Sequence, residues 1–456
     1  MLKSAISLPS ISHNPHFEAR DKTPSALIAL YACLVCAVLL GLSACAQAPK
    51  KVAKKVAAPL VFPLPPDEAR FVYERTIRTS HDVDTSVADT SLQDLLTGRS
   101  VVGANVPLRK PYAIAVHQGR LFVSEPTTRV VKVFDVPGKK YFTIGDTLPG
   151  MLQMPVGLAV DGVGNLYVAD VSAKAVMVYN RDGVFLRKLA AAKIGEPKLF
   201  ERLTSVAVDK KGEKLYALDI AGTSATPEYH RVRVFNAKTG AHLFDFGKRG
   251  SGPGEFNLAR DLVLDKDNNL FVVDGGNARI QVFNAEGKFL RQFGGRGMQL
   301  GDFSRPKEIA LDTSGNIYVV DTTFSHFQIF TPDGKLLMPM GSGSNKDAPA
   351  NYRLVSGIDV DEDGRIYFVD QQFRKIDIFR PANLGVKQGY LAGELATDKV
   401  KMSSPQALDN LQPSPDPDAR VSDVQPPDAK LVDEKILNET SPSNGNSELF
   451  DELLPE

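Results

Sequence analysis

Acidic residues recur at one place along the middle of the chain, where each closes a short apolar run such as "NLFVVD" or "NIYVVD". A carboxylate there could act as a general acid or base, ligate a cation, or accept backbone hydrogen bonds. Repetition in six copies fits a structural need better than a single active site. The turn after each run supplies N–H donors. We therefore interpret these acids as structural: Glu125, Asp170, Asp219, Asp274, Asp321 and Asp370.

A second set of charges stands just before the first apolar run of two copies. Most copies have small or neutral residues there, but two have Arg260-Asp261 and Lys307-Glu308. Charges at a narrow opening are costly unless they are paired or bound to a ligand. Mutual ion pairing on a wet rim is one interpretation, and contact with a ligand or metal is the other. Tyr112 begins the equivalent segment of the first copy.

A long insertion, "IAGTSATPEYH" (220–230), interrupts the third copy. It follows the second apolar run, as do the turns of the other copies, and it should overhang the same face as the charged pairs. Tyr229 and His230 are therefore predicted to form part of a partner-binding rim.

Signatures of catalysis or metal binding are weak. "DVDEDGRIYFVD" (359–370) has the acid spacing of an EF-hand calcium loop, but it reads as strand, turn and strand, whereas an EF-hand needs flanking helices. We favour the structural interpretation and keep calcium as the alternative. The histidines show no zinc-type spacing, and nucleophile-elbow and phosphate-loop motifs are absent. No catalytic residue is therefore assigned.

The elements that carry these residues repeat with a period of about 50 residues. Each copy reads as four short strands joined by turns rich in Gly, Asn and Asp, residues that tolerate left-handed backbone. The first two strands of each copy are apolar on both faces, which is typical of sheets stacked between neighbours. This period and strand count predict an all-β, six-bladed β-propeller with four-stranded blades.

The repeats also resemble a known family. "MPVGLAVDGVGNLYVADVSAKAVMVYNRDGVFLRKL" (154–189) is similar to the NHL-repeat consensus, and similar segments extend from Pro107 to Arg380. The resemblance implies an NHL-type propeller of the bacterial lipoprotein kind. It does not choose among scaffolds, binding modules and enzymes.

The ring needs a closing strand, because the sixth copy has only a weak fourth strand signal, "GYLAGEL" (389–395). "RFVYERTIR" in the preceding segment (61–106) reads as a strand. We predict that Phe71 to Arg78 joins the sixth blade as its outer strand, followed by a short helix over 91–98. The propeller itself is assigned to 107–396.

The N-terminus has the features of a targeting segment. An uncharged apolar run, Ala26 to Leu42, leads into Leu42-Ser43-Ala44-Cys45, which resembles a lipoprotein lipobox. The resemblance implies a signal peptide (1–44), lipid on Cys45, and sorting to the outer membrane because Ala46 follows. An uncleaved single-span anchor is the alternative. Residues 45–60 read as a Lys/Ala/Pro tether.

Composition narrows the function further. Lys+Arg and Asp+Glu both count 54, so nothing favours nucleic acid as a partner. The acidic, Pro- and Ser-rich tail (397–456) is predicted to be disordered. We expect a monomeric, lipid-anchored binding platform of the cell envelope, without a cofactor, whose partner is a protein or glycan. The alternative is a propeller hydrolase or lyase with a metal in its channel.

Overall fold

A computed structural model describes residues 59–85, 105–190, 199–221 and 229–392. Cys45, the predicted helix over 91–98 and the acidic tail lie outside these ranges. The described chain is an all-β, six-bladed β-propeller, with blades that are antiparallel four-stranded sheets, as the sequence predicted. Two short 3-10 turns, Ser80–Asp82 and Gly275–Asn277, are its only helical elements within these residues. None of the described residues forms a helix able to cross a bilayer.

The strands follow one another around the ring. Two precede the first blade: β1 (Val61–Phe62) and β2 (Phe71–Ile77). The first blade contains β3 (Ile114–His117), β4 (Arg120–Glu125), β5 (Val130–Asp135) and β6 (Lys140–Ile144). The second contains β7 (Pro155–Val160), β8 (Leu166–Asp170), β9 (Ala175–Tyr179) and β10 (Phe185–Leu189). The third contains β11 (Leu203–Val208), β12 (Lys214–Ala221), β13 (Tyr229–Asn236) and β14 (His242–Phe246).

Short parallel strand pairs lie in the loops that precede the fourth and the sixth blades. The first pair is β15 (Lys248–Arg249) and β16 (Glu255–Phe256). The fourth blade follows with β17 (Leu262–Leu264), β18 (Leu270–Asp274), β19 (Arg279–Phe283) and β20 (Phe289–Phe293). The fifth contains β21 (Pro306–Leu311), β22 (Ile317–Asp321), β23 (His326–Phe330) and β24 (Leu336–Met340). The second pair is β25 (Ser342–Gly343) and β26 (Asn351–Tyr352), and β27 (Val355–Val360), β28 (Ile366–Asp370) and β29 (Lys375–Pro381) begin the sixth blade.

The ring is closed by the strand that the sequence predicted. β2 pairs with β29, from Phe71 opposite Pro381 to Ile77 opposite Ile376, and β1 adds a fifth strand outside it. Side chains fasten the same seam. Arg365 pairs with Glu74 at 2.9 Å, and the Thr76 hydroxyl donates to Asp377 at 2.5 Å. The chain before the first blade therefore completes the last one.

The core lies between successive blades, because each sheet is apolar on both faces. β8, β18, β22 and β28 are buried along their whole length, whereas the outer strand β20 alternates between half-buried and exposed residues. Between the first two blades, Phe122 and Val133 pack with Val168 and Met177 in one cluster. Neighbouring blades therefore stabilise one another by burial of apolar surface.

Antiparallel pairing divides the connections between two faces. The turn after each second strand and the loop that enters each first strand lie on one side, which we name the channel-mouth face. The turns after the first and third strands lie on the other side, the opposite face. Gly164 and Gly315 in turns of the opposite face have φ of 90° and 86°, which an L side chain rarely adopts.

Candidate functional site: the channel mouth

The acids that end the second strands are buried and saturated with hydrogen bonds. In the sixth blade, Asp370 accepts from the backbone N–H groups of Arg353 at 2.7 Å, Leu354 at 3.0 Å and Phe373 at 2.7 Å. Phe373 is a donor of the predicted kind, from the turn that follows. The other two donors lie 17 and 16 residues earlier, in the loop that enters the first strand.

Every blade has at least one donor from this entering loop, and four blades have two, which was not predicted. In the second blade the donors are Gln153 and Met154, and in the fifth Ser304 and Arg305. Each strand-end acid therefore fastens the entering loop to the body of its blade. The donor atoms belong to the backbone, so residue types could not reveal them.

Three of the strand-end acids also have a cationic partner on the third strand. The separations are 2.8 Å for Glu125 and Lys132, 3.1 Å for Asp219 and Arg231, and 2.8 Å for Asp274 and Arg279. With their oxygens engaged in this way, these carboxylates have a structural role.

The acids of the two charged pairs join neighbouring blades. Asp261 accepts from the Ser205 hydroxyl at 2.6 Å and from the Ile309 N–H at 3.0 Å, and Glu308 accepts from the Ile358 N–H. Ile309 follows a register shift in the pairing of β21 with β22, and Ile358 follows the equivalent shift in the pairing of β27 with β28. Burial raises the pKa of both carboxyl groups.

A third acid of the channel repeats this arrangement. Asp359 accepts from the N–H of Val116 in the first blade at 2.6 Å, and burial raises its pKa to about 7. The acids of the channel wall are thus used to connect first strands around the ring.

The basic members of the pairs behave differently. The Lys307 ammonium lies 3.9 Å from the centre of the Tyr112 ring, a cation–π contact across the channel mouth. Burial lowers the Lys307 pKa to about 8, and it raises that of Tyr112. Within the described ranges, neither Arg260 nor Lys307 forms an ion pair. Arg260 is therefore not paired with Asp261, nor Lys307 with Glu308, and the interpretation as mutual ion pairs does not hold.

Further cations surround the same opening. Arg109, Arg202, Arg305 and Arg353 each donate a backbone N–H to the strand-end acid of their blade. The buried acids thereby place basic side chains at equivalent points of the channel-mouth face. Recurrence of Arg 16 or 17 residues before the acid was the sequence signal that could have found them. We name this set the basic collar: Arg109, Lys110, Arg202, Arg260, Arg305, Lys307 and Arg353.

The predicted rim residues do not join this site as expected. His230 is only 4% exposed, and its Nδ1 lies 3.1 Å from the Phe256 carbonyl and 3.2 Å from the Leu258 N–H. The imidazole is packed beneath the loop before the fourth blade, so its assignment to an open rim was wrong. Tyr229 begins β13, and its side chain lies outside the described residues.

The calcium-like stretch lies on the opposite face, between β27 and β28. Asp361 accepts from the Asp363 and Arg365 N–H groups and from the Tyr367 hydroxyl, while Asp363 pairs with Arg365 at 2.9 Å. These oxygens are engaged by donors of the chain itself. Throughout the four described ranges, no group of three or more His, Cys, Asp or Glu is placed to hold a metal ion.

These observations define a six-bladed β-propeller with a cationic channel mouth. The model of the family DUF5128, described as a 6-bladed β-propeller, matches residues 261–337.

Three solved structures are similar to between 61% and 69% of this chain. A protein of unknown function from Bacteroides thetaiotaomicron is 17% identical, over 61% of this chain and 71% of that one, with a TM-score of 0.47. Gluconolactonase from Xanthomonas campestris is 13% identical over 69% and 98%, with a TM-score of 0.45. Virginiamycin B lyase from Staphylococcus aureus is 13% identical over 61% and 84%, with a TM-score of 0.41.

Proposed function

We propose that this protein is a binding platform of the cell envelope whose working surface is the basic collar and whose partner presents anionic groups. One observation carries the proposal. Among the described residues, no carboxylate forms an ion pair with Arg109, Lys110, Arg260, Arg305, Lys307 or Arg353, although they converge on one opening. Clustered cations repel one another, and an array of anionic groups relieves that repulsion.

Some cations of the opposite face are paired with neighbouring carboxylates. There Lys335 lies 2.9 Å from Asp333, and Lys238 lies 3.8 Å from Glu213. The collar differs in its clustering, because its cations gather on the surface that also holds the channel opening. Propellers and other toroidal folds concentrate ligand contacts on such loop-bearing faces.

The cellular location of the protein is part of the same proposal. We infer that the chain is an NHL-type propeller, lipid-anchored through Cys45 at the outer membrane and monomeric. The lipobox-like sequence before Cys45 and the Lys-rich tether support this placement. Cys45→Ser should abolish incorporation of a radioactive fatty acid, and retained label in that variant would contradict the anchor.

The collar is tested with a soluble polyanion. We expect the full chain to bind poly-glutamate or dextran sulfate, and binding to weaken as salt rises. Arg260→Gln with Lys307→Gln should lower the affinity about tenfold, which corresponds to about 1.4 kcal/mol. The matched control is Lys238→Gln with Lys335→Gln on the opposite face, which removes equal charge and should change the affinity less than twofold. Equal losses in both double variants would show that net charge, and not the collar, determines binding.

An enzyme remains the second candidate, a hydrolase or lyase with a metal in the channel. Lys307 and Glu308 favour it, since two titratable groups with displaced pKa values at a channel mouth are typical of active sites. Metal analysis of the protein purified without chelators decides between the candidates. Near-stoichiometric metal that is lost in Glu308→Gln would favour the enzyme, and metal-free protein that binds polyanions would favour the platform.

A further inference from the structure

Two large apolar side chains stand exposed on the channel-mouth face. They belong to the loop between β20 and β21, where Met298 is 75% exposed and Leu300 is 61% exposed. Arg296 and Arg305, both exposed, lie in the same loop. The loop therefore combines two apolar tips with two cations on one surface.

The loop is ordered by its own hydrogen bonds. The Gly301 N–H donates to the Gln328 side chain at 2.7 Å, and Gln328 in turn donates to the Asp302 carbonyl at 2.8 Å. The Phe303 N–H donates to the Gly295 carbonyl at 2.8 Å. None of these bonds uses the side chain of Met298 or Leu300, so the loop holds them outward without depending on them.

A sister loop of the same construction confirms that the fold does not need these apolar residues. In the loop before the fourth blade, Gly254 donates to Gln281 at 2.9 Å, and Gln281 donates to the Glu255 carbonyl at 2.7 Å. Aligned on these bonds, Ser251 stands in the place of Met298 and Pro253 in that of Leu300. The same backbone thus tolerates a polar or a small tip.

A second apolar tip lies across the ring. The loop between β6 and β7, which joins the first and second blades, exposes Leu148 by 79% and Met151 by 47%. It is three blades away from the loop that joins the fourth and fifth, and three blades are half of a six-bladed ring. The two tips therefore lie on opposite sides of the channel mouth, with the basic collar between them. Such an arrangement matches a flat surface better than a compact partner.

The first described strand lies at the outer edge of the sixth blade, and its position bears on how far the tether can reach. β2 runs from the opposite face toward the channel-mouth face, since Phe71 pairs with Pro381 and Ile77 with Ile376. β1 is antiparallel to β2, with Val61 opposite Val72 and Phe62 opposite Phe71. Val61 and Phe62 therefore lie at the end of β2 that is nearer the opposite face. Residue 59 is 14 positions after Cys45, a distance that an extended chain spans in about 50 Å at most.

We propose that the channel-mouth face docks on a bilayer surface that contains anionic phospholipid. The tips at Leu148–Met151 and Met298–Leu300 enter the headgroup region, and the basic collar pairs with lipid phosphates. Apolar side chains together with cations on one face are a combination by which peripheral proteins bind such surfaces. This inference rests on the proposed function and names the anionic partner of the same face.

The absence of tryptophan from the chain makes a direct test available. Met298→Trp introduces a single reporter at one tip, and Val184→Trp introduces one in a turn of the opposite face, where Val184 is 59% exposed. The full-length protein is mixed with phosphatidylcholine vesicles containing about a third phosphatidylglycerol. We expect the emission of the Trp at 298 to shift to the blue and to be quenched by brominated acyl chains, whereas the Trp at 184 should show neither effect. Because the readout is local, it reports orientation whatever else holds the chain at the vesicle.

Affinity provides the second arm. Met298→Ser with Leu300→Ser should weaken vesicle binding of the Cys45→Ser chain about tenfold and leave binding to soluble poly-glutamate unchanged. Val184→Ser is the matched control and should alter neither. Polyanion binding with an unshifted Trp at 298 would overturn the membrane inference and leave the proposed function standing. If the unsubstituted chain binds neither vesicles nor poly-glutamate, both the membrane inference and the proposed function are overturned.

Discussion

The strand-end acids and the basic collar are two rings of charge on the same face, and they differ in their partners. Asp170 is fully buried and accepts from three backbone N–H groups, those of Gln153, Met154 and Ala173. Arg353 and Arg305 are exposed, and their guanidinium groups have no anionic partner among the described residues. Charge that recurs in every blade and is saturated maintains the fold, whereas charge that is left unpaired at an opening is available to a ligand.

The two rings are nevertheless connected. Asp370 holds the N–H of Arg353, and Asp321 holds that of Arg305, so the buried acid fixes the backbone from which the exposed cation projects. A structural residue thereby determines the geometry of a binding surface. The comparison predicts that substitutions in the two rings affect different measurements.

The largest effect is expected from Asp370→Ala. It leaves three backbone N–H groups without their acceptor in a buried site, which should lower the free energy of unfolding by about 3 kcal/mol or more. Arg353→Ala in the loop that Asp370 fastens should change it by about 0.5 kcal/mol or less. Urea unfolding followed by circular dichroism measures both. If both variants lost a comparable free energy of unfolding, the distinction between the two rings would be contradicted.

A smaller effect is expected from Asp359, whose pKa burial raises to about 7. Since the folded state holds this proton more tightly than the unfolded state, its contribution to stability is full below the unfolded pKa near 3.8. It is lost as the pH rises toward 7. Asp359→Asn removes this loss, so between pH 4 and 7 the variant should gain about 1–3 kcal/mol relative to the parent. Thermal unfolding across that range measures it, and parallel pH profiles would contradict it.

Within the collar, the effect should appear in the salt dependence. Each cation that is lost, first in Arg305→Gln and then in Arg305→Gln with Arg353→Gln, should lower the slope of log affinity against log salt by about 1. The melting temperatures of the parent and of both variants should be the same. A slope that does not change in either variant would place the binding surface elsewhere.

The smallest effect concerns Lys307. Burial lowers its pKa to about 8, so the side chain loses its charge as the pH rises from 7 to 9. Affinity for poly-glutamate should fall about threefold over this interval, because one cation among several is removed. Lys307→Arg should bind equally at both pH values. A decline of the same size in that variant would assign the titration to another group.

Much of this architecture follows from the sequence alone. Strand period, turn residues and apolar runs are local features, and together they predicted six four-stranded blades and a closing strand at Phe71. The structural interpretation of the strand-end acids could be made from the sequence because their repetition is visible in the chain. The lipobox-like Cys45 stays a prediction, since it lies outside the described residues.

Only the tertiary structure decided how the charges are used. Arg260 and Asp261 are adjacent in sequence, yet Asp261 contacts Ser205 and Ile309 of the neighbouring blades while Arg260 is exposed. His230 reads as a turn residue but is buried beneath the next blade's loop. Side-chain partners in a ring come from separate repeats, and their distances depend on how blades pack. Composition and spacing determine the blade. Contact across blades determines which charged side chains bind within the fold and which remain exposed to a partner.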